Sequence, residues 1–318
     1  MSLRRFILKR FLVTIPILFG VSIVTFALVH LTPGDPVSQM VALNPDVSAA
    51  EEEQIRRQYG LHLPVWEQYV NWVGGILQGD FGEIIGTNRA VEDVVWARLP
   101  ETIALGLFGW GFALLIAIPT GIYAAVNKDQ IGDDASRVVA LSGISIPNFW
   151  LGLMLILIFA VVLGYWPVLA PREPLYHPDM LWYLVLPGIT IGTASSAILM
   201  RIMRSSMAEE LNKEYVTAAR AKGLPERTVI LKHVLRNSLI SVATVAAFLT
   251  ASIISGSVVV EVVFSWPGLG REFINAIQAR QIDLILAITL FTGVAIILAN
   301  LLADIAYALL DPRIRDEY

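Results

Sequence analysis

The residue types that carry chemistry are sparse in this chain and stand apart from one another. Its four histidines, His30, His62, His177 and His233, are scattered, and no His-Glu-x-x-His pair occurs, so no metal site can be read. Cysteine is absent, which removes disulfides, thiolate metal sites and thiol nucleophiles. No Gly-x-x-x-x-Gly-Lys-[Ser/Thr] loop is present to cradle nucleotide phosphates, and no Gly-x-Ser-x-Gly elbow to carry a serine nucleophile. The nearest approach, Ser255-Gly256-Ser257, lies in an apolar run and reads as close helix packing.

The densest grouping of polar chemistry is the segment 201–238, which holds eight of the 23 lysines and arginines. It reads as two helices joined by a sharp turn. Ser206 with Glu209 has capping-box spacing. Lys213, Arg220 and Lys222 load the first helix toward its C-terminus, where the macrodipole favours cations. Gly223 stands where a left-handed residue ends a helix, and Pro225 fits the first turn of the next. Leu211, Tyr215, Ala218, Ala219 and Lys222 fall on one predicted face, which is apolar, then very small, then basic. A simple connection needs only a few residues, so an ordered segment of this length points to a docking partner. Two helices on a glycine turn also describe a DNA-reading motif. Here both flanks run straight into apolar spans, which pins the pair at a bilayer.

Those spans dominate the chain. Of 318 residues, 56% are hydrophobic and only 16% charged, with a mean hydropathy of +0.65. A soluble domain has about 25% charged residues. A net charge of −4 gives no electrostatic support for nucleic-acid binding. Six stretches reach the length of about 20 apolar residues that a membrane span needs: 11–31, 102–126, 138–163, 181–200, 239–260 and 284–310. The predicted fold class is an all-α integral membrane protein with six transmembrane helices and an external loop domain between the first two. It divides into 1–97 and a core of 98–318. Pro16, Pro119, Pro147 and Pro187 fall within spans and predict kinks. The first apolar run is too long for a signal-peptide core and has no small-residue cleavage site after it, so it reads as a retained helix.

Lysine and arginine set the orientation. Sixteen of the 23 lie in the N-terminal tail, the 127–137 turn, the 201–238 segment and the tail after Asp311. This places both termini and the 201–238 segment in the cytoplasm, and residues 32–99 outside. The outer loop holds ten acidic residues against four basic ones. Within it, Trp66, Tyr69, Val70, Val73 and Leu77 recur at helical spacing, predicting an amphipathic helix at the membrane surface with Trp66 and Trp72 as anchors. Ionisable residues near spans are few: His30 and Glu261 at outer ends, and Asp304 in the last turns. A carrier driven by protons or sodium would more often show a carboxylate at mid-span, and an intramembrane enzyme would need a catalytic pair there. Small residues crowd the fourth span, with Gly188 and Gly192 four apart, and the fifth, with Ser252, Ser255, Gly256 and Ser257. Close packing accounts for them; the alternative is a polar path lined by Ser252, Ser255 and Ser257.

The stretch Tyr215-Val-Thr-Ala-Ala-Arg-Ala-Lys-Gly-Leu-Pro-Glu-Arg-Thr-Val resembles the EAA loop of permease subunits of bacterial and archaeal ABC importers. Ala218, Ala219 and Gly223 fall on the motif's two alanines and its glycine, while Thr217 replaces the namesake glutamate. Three further stretches resemble the dipeptide, oligopeptide and nickel permeases, B-type subunit: residues 8–22 with Leu31-Thr-Pro-Gly-Asp-Pro36, then Glu261-Val-Val-Phe-Ser-Trp-Pro-Gly-Leu-Gly270, and the closing Leu310-Asp-Pro-Arg-Ile-Arg315. The resemblance implies a type I ABC importer permease fold in a prokaryotic plasma membrane. It implies a second permease chain, a different one in this subfamily, with two ATP-binding subunits that hold ATP and magnesium, and an external solute-binding protein. No cofactor or metal is implied for this chain, and no catalytic residue. Tyr215, Thr217, Ala218, Ala219, Arg220 and Gly223 would form the ATPase-coupling surface. Ser265–Gly270 would turn at the outer mouth before a short helix at 271–278, and Glu261 and Trp266 would shape the gate or the docking face. The implied cargo is a di- or oligopeptide, with nickel, glutathione or a sugar as family alternatives.

Overall fold

The computed structural model describes residues 3–31, 37, 48–87, 89–167, 177 and 179–310. For helix residues 3–11, 251–252 and 303–310 only the backbone is described. The motif residues 32–36 and 311–315, and the side chains of Ser252 and Asp304, therefore lie outside the described set.

Five helices among the described residues are long and apolar enough to cross a membrane, and a bent pair brings the number to six. In chain order, α1 is Leu3–Leu31, α2 Ala49–Gln58, α3 Val65–Gln78 and α4 Val91–Val126. A two-residue antiparallel ladder, β1 Glu83–Ile84 and β2 Arg89–Ala90, precedes α4. Next come α5 Ile131–Ser145, α6 Asn148–Leu155 with a π-helical extension Ile156–Val162, and α7 Met180–Glu210. Then α8 is Glu214–Ala221, α9 Leu235–Val263, α10 Leu269–Gln278 and α11 Ile282–Leu310.

Of the four expected kinks, the break falls at Pro147. There α5 and the α6 span meet at 103°. Pro147 sits before the first residue of α6, where its missing N–H costs nothing. Pro16 and Pro187 lie inside α1 and α7, and Pro119 inside α4, with helix assigned on both sides. Neighbouring groups in a membrane protein can satisfy the carbonyl that a proline frees.

The chain divides into two compact units. One takes in Phe11–Thr102 with Pro267–Ala295. Its centre is an apolar cluster in which Val91, Val94 and Val95 of α4 meet Leu269 and Ala276 of α10 and Leu284, Ile285 and Ile288 of α11. Gln281 fastens the turn after β1, accepting from the Ile85 N–H at 3.0 Å and donating to its carbonyl at 3.2 Å. In the same unit α3 lies on α1. Phe26 contacts the rings of Tyr69 at 5.2 Å and Trp72 at 5.9 Å, the Ser22 and Tyr69 hydroxyls are 2.9 Å apart, and His30 Nε2 lies 3.1 Å from Gln68 Oε1. The amphipathic helix therefore exists but its faces differ from expectation. Trp66, Val70 and Leu77 are exposed, whereas Tyr69 and Trp72 turn to α1.

The other unit contains Ile103–Trp266, with α7 as its most buried long helix. Small residues let α4 and α7 touch backbone to backbone. A Cβ added at Gly192 would lie 2.5 Å from the Gly109 carbonyl oxygen, and one at Gly188 would lie 2.2 Å from the Phe108 ring. Trp110 Nε1 donates to Thr250 Oγ1 at 3.2 Å, joining α4 to α9.

Candidate coupling site

The 201–238 segment folds differently from the simple helix pair that its sequence suggests. Ser206 caps nothing: α7 continues through it to Glu210, and its hydroxyl faces the Ser238 carbonyl and Ser241 hydroxyl at 3.4 Å. Burial of Met203 and Met207 against the core extends α7 beyond the signal of the local cap. The short helix α8 starts instead after Lys213, which makes no side-chain cap. Gly223 adopts φ +75°, the left-handed conformation expected of it, and nothing crowds its missing side chain. Pro225 stands just before the turn Glu226–Thr228 rather than inside it. A π-helical stretch, Val229–Val234, then leads into α9.

Eight residues make a helix too short to hold itself together in water, so α8 depends on its attachments. Val216 and Ala219, three apart on one face, are buried in the cluster that holds Met203, Met207, Val229 and Val234. The Tyr215 hydroxyl donates to Glu210 Oε2 at 2.6 Å and accepts from Asn237 Nδ2 at 3.2 Å. Asn237 also reaches Glu210 at 3.4 Å, so three residues from the end of α7, from α8 and from α9 close one knot. Lys213 pairs with Glu210 and has its ammonium pKa raised by that carboxylate. Burial, then the bond to Glu210, raises the Tyr215 phenol. Beyond α8, Arg220 grips Glu226 with two bonds, of 2.6 and 3.1 Å, across the Gly223 turn.

These attachments sort the six coupling candidates. Thr217, Ala218, Arg220 and Gly223 are exposed, as are Lys222, Leu224 and Pro225. Tyr215 is half-buried and Ala219 buried, both turned to the body of the protein. The predicted common face therefore splits: Ala218 and Lys222 point away from the fold, while Tyr215 and Ala219 hold it. Of the path candidates with described side chains, Glu261 and Trp266 are brought together, while the two serines are placed differently. Ser255 is exposed, Ser257 is buried with its hydroxyl on the Ile254 carbonyl at 2.8 Å, and Glu261 is fully buried. Trp266 is buried too, in a cluster with Leu105, Met180 and Val260, and its backbone N–H donates to the Glu261 carbonyl at 2.8 Å. A turn does follow, with Ser265 at φ +52°, and α10 begins two residues earlier than expected, at Leu269.

Residues 117–316 match the family described as binding-protein-dependent transport system inner membrane component, and residues 3–106 match the family of its N-terminal region. The chain belongs to this permease family. The oligopeptide transport system permease protein AppB of Bacillus subtilis (strain 168) is 40% identical over 313 residues, covering 97% of this chain and 98% of its own length. The dipeptide transport system permease protein DppB of Escherichia coli (strain K12) is 36% identical over 335 residues, with 98% of each covered. The glutathione transport system permease protein GsiC of the same strain is 37% identical over 310 residues, again with 98% of each covered. Among solved structures, a chain of the inward-facing MetNI methionine ABC transporter has a similar fold, with 16% identity and a TM-score of 0.53 over 69% of this chain and 96% of that one.

In this permease, the residues that fix the candidate surface were hidden from sequence reasoning to different degrees. Val216 was within reach, since it stands three residues before Ala219 and completes a buried stripe. Glu226 was not: six residues from Arg220, it shares no helix face with it, and only the glycine turn brings them together. Glu210 and Asn237 belong to different long helices, and no local spacing links them.

Proposed function

We propose that this chain is a transmembrane subunit of an ATP-driven importer of small peptides, working beside a second permease chain and separate ATP-binding subunits. Three of the relatives are named for oligopeptide, dipeptide and glutathione transport, all peptide cargo. In this reading the partners bind ATP and magnesium, supported by the absence of a Gly-x-x-x-x-Gly-Lys-[Ser/Thr] loop from this sequence. An external binding protein would deliver the peptide.

One observation carries the reading: a short helix with Thr217, Ala218, Arg220 and Gly223 outward, fixed by its opposite face to the ends of two long helices. Small side chains allow a partner groove to approach closely, and the Arg220–Glu226 pair keeps the turn in one shape. Closure of the ATPases would push α8, and α7 would carry the movement to the membrane core. Tyr215 and Ala219 act as supports for the surface rather than parts of it. Ser252, Ser255, Ser257, Glu261 and Trp266 remain proposed for the path or the outer gate, with Ser255 exposed.

The test is uptake of labelled peptide by the complete transporter in proteoliposomes. Ala218→Trp places a bulky ring on the exposed face without disturbing the buried one. It is expected to insert and assemble normally while uptake falls by about tenfold or more, a coupling loss in the usual range. Normal uptake by this variant sinks the assignment of the surface.

A further inference from the structure

Outside the coupling surface and the proposed gate lies a fully buried carboxylate. Asp133, in the first turn of α5, has no solvent exposure. Its carboxylate accepts four hydrogen bonds: from Arg204 Nε at 2.5 Å and Nη2 at 2.6 Å, from Arg137 Nη2 at 2.9 Å, and from the Asp129 backbone N–H at 3.0 Å. Asp129 lies in the turn that joins α4 to α5 and takes a left-handed conformation, φ +63°. One side chain thus ties together the turn after α4, the start of α5 and α7.

Position gives the cluster its significance. Arg204 lies less than two turns before Glu210, the residue of α7 that holds Tyr215 of α8. The last turns of α7 therefore grip α8 at one point and α5 at another. The Arg204 bond is a two-pronged fork, which fixes direction as well as distance. A buried ion pair is a poor source of stability, because apolar side chains of similar volume hold helices together at less desolvation cost. What the fork supplies in addition is a single register between α5 and α7.

We propose that Asp133 and Arg204 form the joint through which movement of α8 reaches α4 and α5, which makes both of them positioning residues for transport. The proposal rests on the function put forward above. Asp133→Asn strands a half-buried arginine charge and can unfold the chain, so the deciding variant is Asp133→Leu with Arg204→Met, which removes both charges and keeps their volume. The complete transporter is reconstituted with its ATPases and loaded binding protein, and three quantities are read: assembled complex, ATP hydrolysis and peptide taken up per ATP. The expected result is normal assembly, hydrolysis within about twofold of wild type, and uptake per ATP lowered about tenfold or more. Arg204→Lys, which keeps the charge and loses the fork, is expected to fall between the two. Wild-type uptake per ATP in the double variant overturns the proposal. So does a fall in uptake and hydrolysis that merely follows the loss of assembled complex. A wild-type complex that hydrolyses ATP and moves no peptide counts against the proposed function instead.

Discussion

At the scale of single residues, Tyr215 shows how a residue can belong to a site without lying on its surface. Its hydroxyl is the centre of the knot with Glu210 and Asn237. Tyr215→Phe keeps the ring and removes both bonds, a loss of about 1 kcal/mol, so amide exchange across 214–221 is expected to speed by about fivefold. Hydrogen–deuterium exchange on the purified complex reads this directly, and unchanged rates would show that the knot does not hold α8. Gly223 was legible from sequence alone, since only glycine adopts φ +75° there without cost. Ala218 and Ala219 were legible as a small pair, but not their opposite orientations. Which of two neighbouring alanines faces the body depends on Met203, Met207 and Val229, all distant in sequence or on other helices.

At the scale of elements, apolar length found each candidate span among the described residues, the bent pair counted as one, because a bilayer imposes its thickness on the sequence. Proline marked the 103° break at Pro147 but did not single it out from Pro16, Pro119 and Pro187, where helix is assigned on both sides. Nor did apolar length find the extension of α7 to Glu210, which is set by packing rather than by a cap. The glycine contacts between α4 and α7 supply a sharp comparison. Gly192→Ala drives a methyl into the Gly109 carbonyl, 2.5 Å away, whereas a Cβ at Gly111, two residues along the same α4, meets nothing within 4 Å. The first change is expected to destabilise by about 1–3 kcal/mol, the second to be neutral or stabilising by up to about 1 kcal/mol. Thermal inactivation of the two purified variants measures the difference, and equal midpoints would refute the contact.

For the molecule as a whole, sidedness is expected from its sorted charge and can be read without interference, because the chain has no cysteine of its own. In intact cells, a membrane-impermeant maleimide is expected to label Glu53→Cys and to leave Asn212→Cys untouched until the membrane is opened. The reverse pattern would invert the topology and detach the 201–238 segment from any cytoplasmic ATPase. The size of α8 has a last consequence. Eight residues span about 12 Å and present a face about 10 Å wide, on the order of a few hundred Å² even with the adjoining turn. Durable protein pairs cover about 800 Å² on each side. One such finger would therefore grasp weakly, and in the assembly proposed above a lasting grip would come from two fingers, one on each permease chain, engaging paired ATP-binding subunits. The second contact would then form at the high effective concentration created by the first. Avidity of this kind would let each finger slip and re-seat during a cycle while the proposed assembly stays in one piece.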